Sequence, residues 1–183
     1  MRKIVAGLFS SLDGVVEAPE TWTPGYFSDE AQEEIGAQMA ASDTLLLGRV
    51  TYEEFAAYWP GQAPDANPVA GFMNSTPKLV ASTTLKQVDW ENSTLIEGDV
   101  ADELAKLKEQ PGKNISITGS VNLVGSLLRS GVLDELRVLT YPIVLGHGKR
   151  LFEDGGDPVS LTLVDSRAHR NGVLSLVYEP AGA

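Results

Sequence analysis

The sequence predicts an α/β fold: three layers, αβα, around a mixed, mostly parallel central sheet with antiparallel strands at its C-terminal end. Three observations carry that expectation. Short apolar runs alternate with amphipathic segments as far as Gly131, and such alternation implies parallel neighbours joined by right-handed crossovers. After Gly131, three strand-like runs follow with no long helix between them, so hairpin-like links and antiparallel pairing are expected there. The 183 residues are 43% hydrophobic and 21% charged, an ordinary globular mix sufficient for one core. A single domain over residues 1–183 is expected.

The elements follow in order. Lys3–Phe9 is an apolar run ending in a turn, which suits a buried strand. Ser28 is placed to cap a helix, with Asp29 and Glu30 in its first turn and Ala31, Ile35 and Met39 at helical spacing behind. Thr44–Leu47 reads as a second buried strand. Thr51-Tyr52-Glu53-Glu54 then matches a capping box, which makes Thr51 the expected N-cap of a helix through Tyr58. The Pro/Gly-rich stretch from Trp59 to Pro68 reads as a surface loop, and Asn67-Pro68 starts another helix.

Lys78–Ser82 is the next strand. Asp99–Glu109 carries Val100, Leu104 and Leu107 on one helical face, stopped by Pro111-Gly112. Ile115–Thr118 is a strand that runs into Gly119-Ser120, and the helix behind it holds Leu123, Val124, Leu127 and Leu128 at helical spacing. The last strands are expected at Glu135–Val144, Val159–Val164 and Gly172–Glu179. The first of these is apolar on both faces, with Val138, Thr140 and Pro142 on one and Leu139, Tyr141 and Ile143 on the other. Few helices remain to cover it, so a second subunit is the simplest cover and a homodimer is expected. The alternative is that earlier helices wrap round within one chain.

Composition excludes several function classes. There is no cysteine and only two histidines, His147 and His169, which removes disulfides, thiolate chemistry and a histidine-rich metal site. No metal is expected. The net charge of -11 argues against a nucleic-acid partner. The opening apolar run breaks at Ser10-Ser11-Leu12-Asp13-Gly14 without a cleavage site. No stretch reaches the length of a membrane span. A cytoplasmic protein acting on a small molecule, with no membrane partner, is the expectation.

Ligands of such sheets bind at the carboxyl ends of the strands, where helix N-termini offer unpaired N–H groups. Three segments have that form: Leu47-Gly48-Arg49-Val50-Thr51, Val80-Ala81-Ser82-Thr83-Thr84 and Ile117-Thr118-Gly119-Ser120-Val121-Asn122. Singly, Arg49 reads as a surface arginine, Ser82 and Thr83 as strand-end caps, and Gly119-Ser120 as a tight turn. Jointly, at successive strand ends, they fit one dinucleotide. The Gly-x-Gly-x-x-Gly fingerprint is absent after the first strand. Asp13 is either a turn residue or a substrate-polarising catalytic group. Trp22, Tyr141 and His147 are candidate substrate contacts, each with a plain packing or solvated-loop alternative.

Gly48-Arg49-x-Thr51-Tyr52-Glu53 resembles the Gly-Arg-x-Thr-(Trp/Tyr)-Glu motif of dihydrofolate reductases, and Thr118-Gly119-Ser120-x-x-Leu123 resembles their later glycine pair. Ser10-Ser11-Leu12-Asp13-Gly14, Leu133–Arg137 and Tyr141–Phe152 are similar to the reductase domain of the bifunctional riboflavin-biosynthesis deaminase-reductase. The resemblance covers Lys3 to about Tyr178. It implies a dihydrofolate reductase-like fold, NADPH as cofactor and, since the riboflavin-pathway reductases are typically dimeric, a dimer.

Carried over by position, the resemblance implies that Gly48, Arg49 and Thr51 lie at the NADPH phosphates. It implies that Ser82 and Thr83 hold the 2′-phosphate, and that Gly119, Ser120, Val121 and Asn122 give N–H groups to the pyrophosphate. The segment from Asp13 to about Tyr26 matches the mobile loop that closes over the nicotinamide and the substrate. The implied activity is NADPH-dependent reduction of a pterin-, pyrimidine- or flavin-like molecule, including the 5-amino-6-(5-phosphoribosylamino)uracil reductase step. A non-catalytic dinucleotide- or flavin-binding module is the alternative.

The sequence also departs from these families. It lacks the deaminase Pro-Cys-x-x-Cys and has no clear counterpart of the arginines that grip the ribose phosphate. Asp29, Glu30, Glu33 and Glu34 crowd the place of the pterin-binding acid, and none aligns.

Overall fold

The computed structural model describes residues 1–63, 67–152 and 157–182. Eight strands, β1 (Ile4–Ser11), β2 (Ser42–Gly48), β3 (Lys78–Ala81), β4 (Ser93–Leu95), β5 (Asn114–Thr118), β6 (Glu135–Tyr141), β7 (Leu161–Ala168) and β8 (Leu174–Pro180), form one sheet in the order β4-β3-β2-β5-β1-β6-β8-β7. Strands β4 to β6 along that order are parallel, and β8 pairs antiparallel with both β6 and β7. Among the described residues, five α-helices cover the sheet: α1 (Asp29–Ala40), α2 (Arg49–Tyr58), α3 (Pro68–Ser75), α4 (Val100–Glu109) and α5 (Val121–Arg129).

Alternation along the strands sorts the core into two layers. Ile4, Ala6, Leu8, Leu46, Ile115, Ile117, Leu136 and Val138 meet Leu104 of α4 and Val124, Leu127 and Leu128 of α5 on one face. On the other face, Leu45, Leu47 and Val80 pack with Tyr52 of α2 and Met73 of α3. Farther along that face, Leu139 and Tyr141 pack with Ala31 and Ile35 of α1. The three-layer αβα expectation therefore holds.

Several boundaries differ from the sequence reading. β4 was not expected: it is a three-residue outermost strand with no apolar run to announce it. β6 stops at Tyr141, before Pro142, whose missing N–H ends the ladder. β7 starts two residues later than expected and extends to Ala168. Only β7–β8 is a true hairpin, because β8 lies between β6 and β7. Both faces of β6 are covered within the chain. Residues 64–66 of the expected surface loop lie outside the described residues. Among the described residues, no helix is long and apolar enough to cross a membrane.

Candidate active site

Three helices begin with a capping side chain: Ser28 caps α1, Asn67 caps α3 and Asp99 caps α4. The other two do not. α2 starts after Gly48 and α5 after Ser120, neither with a side-chain cap. These two uncapped ends follow the adjacent strands β2 and β5. Their first-turn N–H groups have no intrahelical acceptor and so form a positive edge.

The expected capping box at Thr51 is therefore not formed; Gly48 holds the N-cap position. Thr51 has a different task. Its Oγ1 accepts the Ser120 N–H at 2.9 Å, and Ser120 Oγ in turn accepts the Gly48 N–H at 2.9 Å. This bracket ties the two helix starts together. Gly119 lies inside it at φ +64, where an added Cβ would stand 3.0 Å from Thr51 Cγ2, so both its backbone angle and the available space call for glycine. Ser120 is itself left-handed at φ 52. Its N–H is committed to Thr51, which leaves the α5 end to present the N–H groups of Val121 and Asn122.

Arg49 is the first residue of α2 and exposed, with Nη1 2.8 Å from Glu53 Oε2 one turn on. Ser82 and Thr83 follow β3, the neighbour of β2 on the side away from β5. Ser82 Oγ accepts the N–H groups of Thr84 and Leu85 and shapes the turn, while Thr83 is exposed. The three segments thus end on consecutive strands, β3, β2 and β5, spanning about 10 Å at the usual inter-strand spacing. Tyr52, in the same motif, is structural: its hydroxyl accepts the N–H groups of Asp89 and Trp90.

Asp13 sits in the turn after β1. Its carboxylate accepts from Ser11 Oγ (2.7 Å), Leu145 N–H (3.1 Å) and Gly146 N–H (2.8 Å). The Ser11 hydroxyl, and then the two backbone donors, hold it well below the usual carboxylate range. The group remains an anion near neutrality and cannot give up a proton there. It clasps the β1 turn to the loop after β6, a contact extended by Leu12 N–H to Ile143 O and Val16 N–H to Lys149 O.

The three candidate substrate residues divide. Trp22 and Tyr141 meet edge-on, with ring centroids 5.4 Å apart, and Tyr26 and Phe9 complete the set around Tyr141. His147 is exposed on the glycine-flanked loop, with Nδ1 3.0 Å from Leu145 O. Among the described residues it makes no hydrogen bond to the aromatic set.

The sequence profile of the RibD C-terminal domain family matches residues 2–175. The chain belongs to the RibD C-terminal domain family. A relative in it, the uncharacterized protein YyaP of Bacillus subtilis (strain 168), is 30% identical over 181 residues, 97% of this chain and 94% of YyaP.

Solved RibD-like structures share the fold. A putative riboflavin biosynthesis protein from Shewanella sp. PV-4 superposes with TM-score 0.75 at 22% identity, covering 97% of this chain and 98% of that one. The diaminohydroxyphosphoribosylaminopyrimidine deaminase/5-amino-6-(5-phosphoribosylamino)uracil reductase of Thermotoga maritima gives TM-score 0.68 at 13% identity, over 98% of this chain and 57% of that one. A dihydrofolate reductase of Enterococcus faecalis, solved with NADP(H), gives TM-score 0.59 at 14% identity, over 98% and 96%. The RibD reductase fold is thus present here without a deaminase half within these residues, and its likeness to dihydrofolate reductase is one of fold.

Two features of the structure were not read from the sequence. Lys149 Nζ hydrogen-bonds Asn122 Oδ1 at the uncapped start of α5, a position where a helix dipole repels a cation. Its place in Gly146-His147-Gly148-Lys149 was visible; its fold neighbour 27 residues earlier was not. His169 is buried and lies 3.1 Å from Glu34 of α1, a pairing across 135 residues that no local pattern signals.

Proposed function

We propose that the protein is an NADPH-dependent reductase that delivers a hydride to a flat heterocycle of the pterin, pyrimidine or flavin type. One observation carries the reading: among the described residues, the two α-helices without side-chain caps are the two that begin side by side on β2 and β5. Uncapped, adjacent helix starts are an anion site. The Thr51–Ser120–Gly48 bracket fixes their separation before any ligand arrives.

The residues fit the cofactor. Val121 and Asn122 N–H groups face a pyrophosphate, with Arg49 and Lys149 as nearby cations that offset the chain's net charge of -11. Gly119 permits close backbone approach. Ser82 and Thr83 meet the adenosine 2′-phosphate. When bound, NADPH supplies the hydride. The chain's own part is to orient both reactants and to exclude water through the segment from Asp13 to Tyr26, which Trp22 anchors over Tyr141. Asp13, held as an anion, positions that segment rather than donating a proton.

The reading includes a cytoplasmic homodimer. With both faces of β6 covered in the chain, the dimer surface moves outward to the β7–β8 ribbon, where Leu163, Val164 and Leu174 are 50%, 48% and 41% exposed. β7 is an unpaired edge.

Cofactor choice tests the site. NADPH is expected to bind more tightly than NADH by calorimetry, and Thr83→Ala combined with Ser82→Ala to abolish the difference. Equal dissociation constants in the unaltered protein would remove the 2′-phosphate assignment.

A further inference from the structure

Under α1, two deeply buried polar atoms have no hydrogen-bond partner among the described residues: the Tyr141 hydroxyl and Nδ1 of His169. The sheet register sets them in one row. Thr140 and Ala168 both pair with Leu174, from opposite sides of β8. The next row therefore reads Tyr141, Val173, His169, closed by the His169 N–H donating to Val173 O at 2.8 Å. Tyr141 and Val173 pack with Ala31 and Ile35 of α1, and His169 meets Glu34 of the same helix. All three side chains face α1, with the outer two about 10 Å apart at Cα.

The two groups are complementary. Glu34 Oε1 lies 3.1 Å from His169 Nε2. A carboxylate only accepts, so Nε2 carries a ring proton toward Glu34, and in the neutral tautomer that this pairing selects Nδ1 is the bare acceptor. Tyr141 is the donor, fully buried and pushed up to about 12 by that burial. Each unpaired group gives up its hydration on burial with no hydrogen bond in return. A phenylalanine at position 141 would pack against the same rings without that cost.

The roof over Tyr141 is made partly by a connecting segment. Phe9 belongs to β1, but Trp22 and Tyr26 come from the segment joining β1 to α1. Trp22 Nε1 donates to Glu17 O, inside that segment, and Tyr26 O accepts from Asn171 Nδ2. The charged groups beside the row are Glu34, paired with His169, and Arg170, which is 97% exposed and reaches toward Glu30. Neither gives the row a cation for a phosphate.

We propose that Tyr141, Val173 and His169 form the floor of a substrate subsite for a flat, uncharged heterocycle. The ring accepts a hydrogen bond from Tyr141, donates an N–H to His169, and enters as Trp22 swings off Tyr141. The subsite deepens the reductase reading and rests on it for the reaction, though not for the binding.

Lumazine and its N,N-dimethyl derivative, in which both ring N–H groups are blocked, test it by calorimetry and tryptophan fluorescence, with NADP⁺ titrated separately. Lumazine is expected to bind and to change the fluorescence, and the dimethyl compound to bind at least about tenfold more weakly. Tyr141→Phe, which keeps the packing, is expected to raise the lumazine dissociation constant about tenfold with NADP⁺ affinity unchanged. His169→Leu is expected to erase the preference for free N–H groups. Trp22→Phe should remove the fluorescence change while calorimetric binding persists.

No binding of lumazine, equal binding of the two compounds, or an unchanged constant in Tyr141→Phe would overturn the subsite. Failure of NADP⁺ to bind alongside intact lumazine discrimination would count against the reductase reading and leave the subsite standing.

Discussion

Thr51 accepts the backbone N–H of Ser120 at 2.9 Å, across 69 residues of sequence. Both residues are buried, so Thr51→Val, nearly isosteric, strands that N–H without a partner. A stability loss of about 1–3 kcal/mol is expected, together with weaker NADPH binding as the two helix starts lose their tie. Thr51→Ser should preserve both properties. Urea unfolding and calorimetry on the two variants read the outcome, and wild-type stability in Thr51→Val would show that the bracket is not what holds the helices together.

Arg49 must leave Glu53 to reach a phosphate, and the exchange is cheap. An exposed pair one helical turn apart is worth only about 0.3–0.5 kcal/mol, against roughly 1–3 kcal/mol for a charge-assisted bond to phosphate. Arg49→Ala is therefore expected to weaken NADPH binding by roughly that larger amount. Glu53→Gln should tighten it by no more than about twofold. An Arg49→Ala protein that binds NADPH normally would take this residue out of the site.

The clasp made by Asp13 has a pH signature. Its folded-state pKa is depressed, so the stability it contributes is present in full above its unfolded value of about 3.9 and is lost as pH falls through the folded value. Asp13→Ala is expected to melt below the wild type at neutral pH. The gap should persist at mildly acid pH and close only well below the ordinary carboxylate range. A gap already closing between neutrality and pH about 5 would mean the carboxylate is not held as the three donors imply.

Assembly is settled by mass. Sedimentation equilibrium at micromolar concentration should report twice 19.6 kDa, and Leu163→Lys with Val164→Glu on the β7 edge should reduce it to the single chain. A concentration-independent monomer in the unaltered protein ends the dimer reading.

Much of this architecture was legible because it is local. Capping residues, apolar periodicity and the Gly48–Thr51 and Gly119–Ser120 turns mark strand ends and helix starts directly. The sequence misassigned Thr51 because Thr-x-x-Glu is satisfied on paper by a capping box, whereas in the fold a more distant donor, Ser120, competes for the hydroxyl. It named Trp22 and Tyr141 singly, each as a candidate substrate contact with a packing alternative, and did not signal that they meet. It gave no sign of His169, whose partner Glu34 belongs to another element. The homodimer argument from β6 failed for the same reason: cover from α1 on one face and from α4 and α5 on the other is a long-range fact. β4 went unseen since an edge strand of three residues needs no apolar pattern.

The insertion of β8 between β6 and β7 sets an order on synthesis. The ribosome makes β7 before the strand it must pair with, and β6 waits with an open edge until β8 has emerged. Up to that moment the nascent chain carries two unpaired strand edges, β6 and β7, both rich in Leu and Val and both templates for pairing between chains. The parallel core can close early, yet its last edge is covered by the later-made strand of the β7–β8 hairpin and not by the strand that leaves the ribosome first. Removing residues 174–180 would therefore not trim the sheet but split it, leaving β7 with no neighbour at all.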